Sequence, residues 1–437
     1  MCDMKKLVIL IIFLATAITL HGQQQLSIED AIAAGLEKNL SIRISRKNAE
    51  VGANNYDRSI GGLLPVVSVS ASKNFTNTNV EQQFVGDTEP RVINGAKSNT
   101  LDISPRLNWT VFNGLGMFAT RDRLKEQELL GEDELRVVIE NNIALISNAY
   151  YRVVLENERL RVFQAALQLS EDRLELAKTR YEVGKSSKLD YLQAQVDFNT
   201  DKSNLIAQQE LIYNVKVDLN RLLGSELETV YEIEPDFAMD TTLVLDPLLA
   251  SSYINNPGII RAQRARNISF IQQKEIRAER FPTIDLNMGY GYNDRNSDAG
   301  FLISNTSRGL NYGVTASVNV FNGFDRTRRE QNNRIQMESN ELAIVDLKQQ
   351  LEADIRKTYV NYQNSIVLKN LEELNFAVTQ ENYEIALERY KLGNGNAIEL
   401  REAQQNLVQA EIRKLTSQYA VKVAEIELNR LAGYNLQ

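Results

Sequence analysis

The chain holds a single cysteine and a single histidine, Cys2 and His21, and both lie within its first 22 residues. That stretch reads as a secretory signal peptide. Met4-Lys5-Lys6 is a short positive region, Leu7 to Ile18 is apolar, and Gly22 is a small residue at a cleavage point. The apolar run is too short to span a bilayer comfortably. Cys2 precedes it and is badly placed to receive a lipid. The mature chain therefore lacks both residue types. This excludes cysteine nucleophiles, histidine bases, thiolate or imidazole metal sites and disulfides. No cofactor is expected, and no enzymatic activity. A net charge of −8 makes nucleic acid a poor partner.

Other absences are as informative. All seven prolines (65, 90, 105, 235, 247, 257 and 282) fall outside two long runs. Residues 324–392 contain neither glycine nor proline, and 115–183 contain only Gly116 and Gly131. Apolar residues recur there at three and four positions, as in Leu135, Ile139, Ile143, Ile146 and Tyr150, which predicts two very long helices. Each would extend roughly 100 Å at about 1.5 Å per residue. A helix of that length needs partners along its apolar stripe. The stretches 27–61, 185–223, 246–281 and 396–432 supply them as shorter helices, stacked in pairs. Ser27-x-x-Asp30 reads as a capping box, and Asp246-Pro247 as a cap followed by a first-turn proline.

What is present is present twice. The tetrapeptide Val-Phe-Asn-Gly occurs at 111–114 and at 320–323. The stretch RYEVGKSSKLDYLQAQ at Arg180 returns as RYKLGNGNAIELREAQ at Arg389, and LNRLLG at Leu219 returns as LNRLAG at Leu428. All three pairs share one offset. The segment around Pro65 matches that around Pro282 at an offset eight residues larger, consistent with a longer loop in the first half. Two copies of one unit follow, 23–224 and 246–437, joined by a connecting segment 225–245.

Each unit carries two runs of period two, placed in hairpins at 64–112 and 282–321. Leu101 to Val111 sets odd residues apolar and even residues polar, and Leu310 to Val320 repeats the pattern on its even positions. Val67, Val69 and Ala71, then Ile284, Leu286, Met288, Tyr290 and Tyr292, complete the set. Strands of 9–11 residues with one oily face suit a membrane barrel; a soluble sheet with one buried face shows the same period. Loops are expected at 76–99 and 293–309. Four strands cannot close alone, and an open sheet in lipid would leave backbone groups unpaired. In a membrane the strands must be shared, two chains giving eight strands and three giving twelve. Val-Phe-Asn-Gly is then the corner where a strand leaves the wall and becomes a helix, with Asn113, Gly114, Asn322 and Gly323 as structural turn residues.

The signal peptide, tandem repeat, paired strands, repeated corners and a tyrosine–glycine motif near each helix reversal together resemble the TolC-like outer-membrane efflux proteins. The resemblance runs from Leu26 to Gly433. It implies a mainly α chain in which a long antiparallel helical barrel continues into a β-barrel of twelve strands, four from each chain of a homotrimer. It implies a passive duct in the outer-membrane lipid, with helices in the periplasm, for efflux or type I secretion. Its partners would be a periplasmic adaptor and, through the adaptor, an inner-membrane pump. A non-conducting periplasmic coiled-coil scaffold is the alternative.

The motif carried over is Tyr-x-x-Gly followed six residues later by an acid: Tyr181, Gly184 and Asp190, then Tyr390, Gly393 and Glu399. Glycine ends one helix, and the acid suits the first turns of the next. By the resemblance these hairpins are the tips that close the tunnel and meet the adaptor. Glu399 and Glu402 share a helix face and would form acidic rings in three copies. Gly395 stands where the best-known member carries an arginine of its gate network. Arg326, Arg328 and Arg329 open a helix, where cations are unfavourable; they read as a solvated face, with lipid phosphates as the other reading.

Overall fold

The computed structural model describes residues 24–59 and 62–434, so the signal-peptide reading, with Cys2 and His21, lies outside the described residues. In chain order the elements are β1 (Gln24–Gln25), α1 (Ile28–Lys38), α2 (Leu40–Ser59), β2 (Val66–Gln82), β3 (Arg91–Asn113), α3 (Gly116–Glu182) and α4 (Lys188–Leu223). The second half follows with β4 (Tyr231–Glu232), α5 (Leu245–Asn255), α6 (Pro257–Ala278), β5 (Thr283–Ser297), β6 (Ser304–Ser317), α7 (Asp325–Lys391) and α8 (Ala397–Ala432). The two long helices α3 and α7 each have 67 residues, and α4 and α8 each have 36. No helix among the described residues is long and apolar enough to cross a membrane.

The chain forms two compact units, and neither is one half of the sequence. One comprises Met1–Lys47, Asp133–Ile260 and Val345–Gln437; the other comprises Asn48–Glu132 and Arg261–Ile344.

The first unit is mainly helical, with one buried cluster around Ile146, Leu155, Leu219 and Leu223 and another around Ile355, Tyr362 and Leu428. Hydroxyls tie the non-helical segments to it. Tyr150 donates to the Leu26 carbonyl at 3.1 Å and Tyr362 to the Asp240 carbonyl at 2.7 Å. Burial pushes the Tyr150 phenol up to about 12, so it stays a neutral donor. Lys422 donates to the Ala238 carbonyl at 2.6 Å, and the Asp240 backbone N–H donates to Glu425 at 3.0 Å. The connecting segment is thereby pinned against α8.

The helices expected over 27–61 and 246–281 are each broken once, at Asn39 and Asn256, which both leave helical geometry (ψ 126° and 118°). The cause is side-chain capping. Asn39 Oδ1 accepts from the backbone N–H of Ser41 at 2.9 Å and Ile42 at 3.3 Å, and its Nδ2 donates to the Leu222 carbonyl at 2.7 Å. Asn256 does the same with the Gly258 N–H and the Leu431 carbonyl. At the helix starts, Ser27 caps through the Asp30 N–H, which is the serine half of the expected box, whereas Asp246 is no cap. Helix α5 begins a residue earlier behind Val244, so Asp246 sits in the first turn and Pro247 at the third position, where a missing N–H costs nothing.

The second unit contains one antiparallel four-stranded sheet in the order β2-β3-β5-β6. Its strands have 17, 23, 15 and 14 residues, longer than the expected 9–11. The loops expected at 76–99 and 293–309 shrink accordingly. Polar stretches such as Phe75-Thr-Asn-Thr pair through the backbone ladder, which needs no apolar alternation. Strand β6 nevertheless stops short of Val320 and ends at Ser317, because its partner β5 starts opposite it at Thr283. The second Val-Phe-Asn-Gly therefore lies past the strand end, whereas Asn113 still pairs with Thr283 beyond a bulge at Thr110/Phe112. Both corners turn through two successive left-handed residues, Gly114 and Leu115 (φ 68° and 66°), then Gly323 and Phe324 (φ 65° and 64°). Asn113 caps the entering helix by accepting from the Met117 N–H at 2.9 Å.

Candidate functional site

Two helix reversals and one sheet face carry the candidate functional residues. At the first reversal α3 ends on Gly184 with a positive φ of 73°. The Gly184 N–H reaches the Tyr181 carbonyl, and the Lys185 N–H reaches the Arg180 carbonyl, which satisfies the orphan carbonyls of the helix end. Ser187 and Asp190 form a reciprocal capping box at the start of α4. Asp190 also accepts from Ser186 at 2.8 Å. The hydroxyls of Ser186 and Ser187 hold its carboxyl below the ordinary carboxylate value. Tyr181 stacks on Tyr191 with centroids 6.0 Å apart.

The second reversal repeats the glycine turn and changes the acid's partner. Gly393 (φ 80°) ends α7 through the same two backbone bonds, to Tyr390 and Arg389. Asn396 caps α8 by accepting from the Glu399 N–H at 2.7 Å. The Glu399 carboxylate pairs with Arg389 Nη1 at 2.6 Å. Glu402 is exposed and enters no ion pair among those formed at the tip. Tyr390 is buried, 4% exposed, unlike Tyr181 at 40%.

The reversals are joined by contacts that periodicity does not reveal. Arg180 donates to the Tyr390 carbonyl at 2.8 Å and lies 4.2 Å from the centre of its ring. Further along, Arg173 and Asp197 form a buried pair at 2.8 Å with side chains only 7% and 9% exposed. Arg401 of α8 approaches the other Asp197 oxygen at 3.3 Å. These groups line a polar cavity of about 390 Å³ with Asp201 and Gln404. Burial raises the Asp201 carboxyl above its ordinary value, against the Ser170 hydroxyl and Arg173. Arg180 and Arg389 were visible as the residue before each motif tyrosine. Their pairings with Tyr390 and Glu399 were not, because each partner lies on another helix.

In the sheet the register collects the apolar residues of all four strands on one face. Val67 lies opposite Leu107, Leu107 opposite Met288, and Met288 opposite Tyr312. The row Val69–Pro105–Tyr290–Leu310 follows, and Trp109, Leu286 and Val314 make another. From Ile284 to Tyr292 the band runs about 27 Å along the strands, at about 3.4 Å per residue. The opposite face carries Ser70, Asp102, Arg106, Asn108, Asn287 and Asn293 beside Gly289, Gly309 and Gly313, and lines a hollow of about 930 Å³. Its carboxylates are hydrogen-bonded across strands, Asp285 by Thr110 at 2.6 Å and Asp102 by Asn293.

At the helix start after the second corner the arginine cluster is matched by acids. Arg328 and Arg329 both bind Asp325, at 2.6 and 2.9 Å, and Arg329 also binds Glu279. Arg326 donates to the Glu279 carbonyl at 3.2 Å. Asp325 thus offsets the unfavourable placement of cations at this terminus.

A cluster of His, Cys, Asp and Glu fit to hold a metal ion is absent among the described residues. The sequence profile of the outer membrane efflux proteins matches residues 32–225 and 248–434. Among curated relatives, the probable efflux pump outer membrane protein TtgC of Pseudomonas putida is 22% identical, over 93% of this chain and 83% of its own length. CyaE of Bordetella pertussis is 21% identical over 90% of this chain and 79% of its own. The outer membrane protein TolC of Escherichia coli is 18% identical over 90% and 80%. In fold, the chain superposes on the CmeC outer membrane channel of Campylobacter jejuni with a TM-score of 0.76 at 15% identity, covering 93% of this chain and 85% of that one. For VceC of Vibrio cholerae the TM-score is 0.74 at 16% identity, covering 93% and 96%. The long helices and the four-stranded sheet are those of a known architecture, and this chain belongs to the outer membrane efflux protein family.

Proposed function

We propose that this chain is a passive export duct, assembled as a homotrimer whose pooled strands close a twelve-stranded barrel. The observation that carries the reading is the register of the four-stranded sheet. One face is an unbroken apolar band and the other a polar hollow. At a strand tilt of about 40° the band stands about 20 Å tall, near the height of a barrel's lipid-facing girdle. Four strands leave two open edges, which lipid does not tolerate. Pooling strands between copies removes them.

The helices extend the duct through the periplasm, and the two reversals form its tip. Tyr181, Gly184, Asp190, Tyr390, Gly393, Glu399 and Glu402 are the residues for adaptor docking and gating. The adaptor links the duct to an inner-membrane pump, as in a tripartite efflux or type I secretion system. The halves 23–224 and 246–437 are copies of one unit, a reading supported by helices of matching length and by identical caps at Gly224 and Gly433 (φ 68°, ψ 25°). Asn113, Gly114, Asn322 and Gly323 are corner residues that bind no partner. Hydrolysis or other turnover has no place in this scheme.

The deciding experiment is the native mass of detergent-extracted protein from outer-membrane fractions, followed by planar-bilayer conductance. Three copies with ion conductance are expected. A soluble monomer would overturn the duct and leave a periplasmic scaffold.

A further inference from the structure

The apolar face of the sheet has two ends, and their cations are treated differently. At the end that feeds the helices, arginines are neutralised by neighbouring acids: Arg280 by Glu330, Arg328 by Asp325 and Arg329 by Glu279. At the hairpin end, the same face carries Lys73, Lys97 and Arg308. Lys73 lies 5.3 Å from the ring of Phe75, and Arg308 lies 5.2 Å from that of Tyr292. Among the described residues none of these three cations takes part in an ion pair. The acids at this end are Asp294, which accepts from Thr306 at 2.7 Å, and Asp298, with Glu81, Asp87 and Glu89 further out on the β2–β3 hairpin.

Two strand residues beyond the apolar band the face opens into a cavity of about 420 Å³. Its lining includes Phe75, Asn77, Lys97, Asn99, Asn296 and the carboxylate-bearing Asp298, with Lys73 just outside it. Phe75 is 74% exposed, with Lys73 over its ring. The amides of Asn99 and Asn296 touch at 3.4 Å, which leaves most of their donors open. We infer that this rim cavity binds the phosphate-bearing headgroup of an outer-membrane lipid, with Lys73 and Lys97 on the phosphate, the asparagine amides on headgroup hydroxyls and Phe75 against its apolar part. The position selects a lipid over a soluble anion. A lipid whose chains lie along the band from Tyr292 to Ile284 presents its headgroup at this level. The geometry also suits amphipathic anchoring, in which a cation stands over an aromatic ring at the boundary of oil and water.

The inference rests on the sheet standing in the outer membrane, and conductance tests that reading separately. Full-length protein is placed in phosphatidylcholine nanodiscs doped with diphosphorylated lipid A, or with the same lipid stripped of its phosphates. Native mass spectrometry then counts retained lipid. Selective retention of the phosphorylated form is expected, weakened about thirtyfold by Lys73→Gln with Lys97→Gln. Conductance and oligomer mass stay unchanged, since both lysines are exposed. Equal retention of the two lipids, or retention that ignores the double substitution, overturns the site. Complete displacement by inorganic phosphate overturns it too, by assigning the cavity to a soluble anion. A protein that conducts yet keeps no phosphorylated lipid loses the site and keeps the duct.

Discussion

Asn39 donates its side-chain amide to the carbonyl of Leu222, 183 residues away, at 2.7 Å. One side chain thus serves two helix ends: its Nδ2 closes α4, and its Oδ1 caps α2. Asn256 and Leu431 repeat the joint in the second half. Asn39→Asp keeps the capping oxygen, loses the donor and sets a carboxylate against a carbonyl. We expect a loss of about 1–3 kcal/mol, seen as a lower unfolding midpoint of the detergent-solubilised protein. A midpoint equal to wild type would show that the joint holds without the amide.

Asp197 is the hinge of the charged contact between helices. Asp197→Asn leaves Arg173 buried without its counter-ion, a loss of about 3 kcal/mol for a broken buried pair. Arg401→Ala removes the more exposed partner and costs less. Hydrogen exchange should rise around 190–200 and 397–405 in that order of severity. Equal protection in both variants and wild type would remove the contact from any account of tip rigidity.

Asp201 and Asp190 shift in opposite directions, so acid affects them differently. The Asp201 carboxyl is raised by burial. The stability it contributes is complete below its ordinary value of 3.8 and is lost as pH rises through the higher folded value. Asp190 is lowered, so its contribution is present above 3.8 and fades only below that. Mild acidification towards pH 4 therefore tightens the cavity side before it loosens the tip. Asp201→Asn should flatten the gain in the unfolding midpoint between pH 7 and 4.

Glu399 is neutralised by Arg389 at 2.6 Å, whereas Glu402 is not. Cation preference in a planar bilayer should fall more with Glu402→Gln than with Glu399→Gln. Arg389→Ala should raise it by releasing Glu399. Reversal potentials across a salt gradient measure all three. The reverse order would place Glu402 away from the conducting path.

Gly114 and Gly323 occupy the same letter of the same tetrapeptide, but only one is crowded. A Cβ at Gly114 would lie 2.3 Å from the Ala278 carbonyl, whereas at Gly323 it would meet nothing within 4 Å. Gly323→Ala carries only the left-handed backbone penalty of about 1–2 kcal/mol. Gly114→Ala adds a backbone collision and should sharply reduce oligomer recovered from outer-membrane fractions. Equal recovery of the two would contradict the packing at the first corner.

Much of this architecture was legible in the residues themselves. The long helices α3 and α7 follow from runs free of proline and nearly free of glycine, since helix propensity and a 3.6-residue stripe are local properties. The strand faces follow from alternation between Leu101 and Thr110, and the helix ends from Gly184, Gly224, Gly393 and Gly433, whose left-handed turn few other residues adopt. The tertiary structure decided what depends on chemistry between distant residues. The breaks at Asn39 and Asn256 required the carbonyls of Leu222 and Leu431, which no local pattern announces. The end of β6 at Ser317 required the start of β5 opposite it, and the length of β2 required a ladder that accepts polar side chains. Arg180 found Tyr390, and Asp197 found Arg401 as well as the nearer Arg173, because packing brings together α3 with α7 and α4 with α8, which the sequence holds some two hundred residues apart. Periodicity reports which face of an element is oily; only the fold decides which partner covers it and which charges meet there.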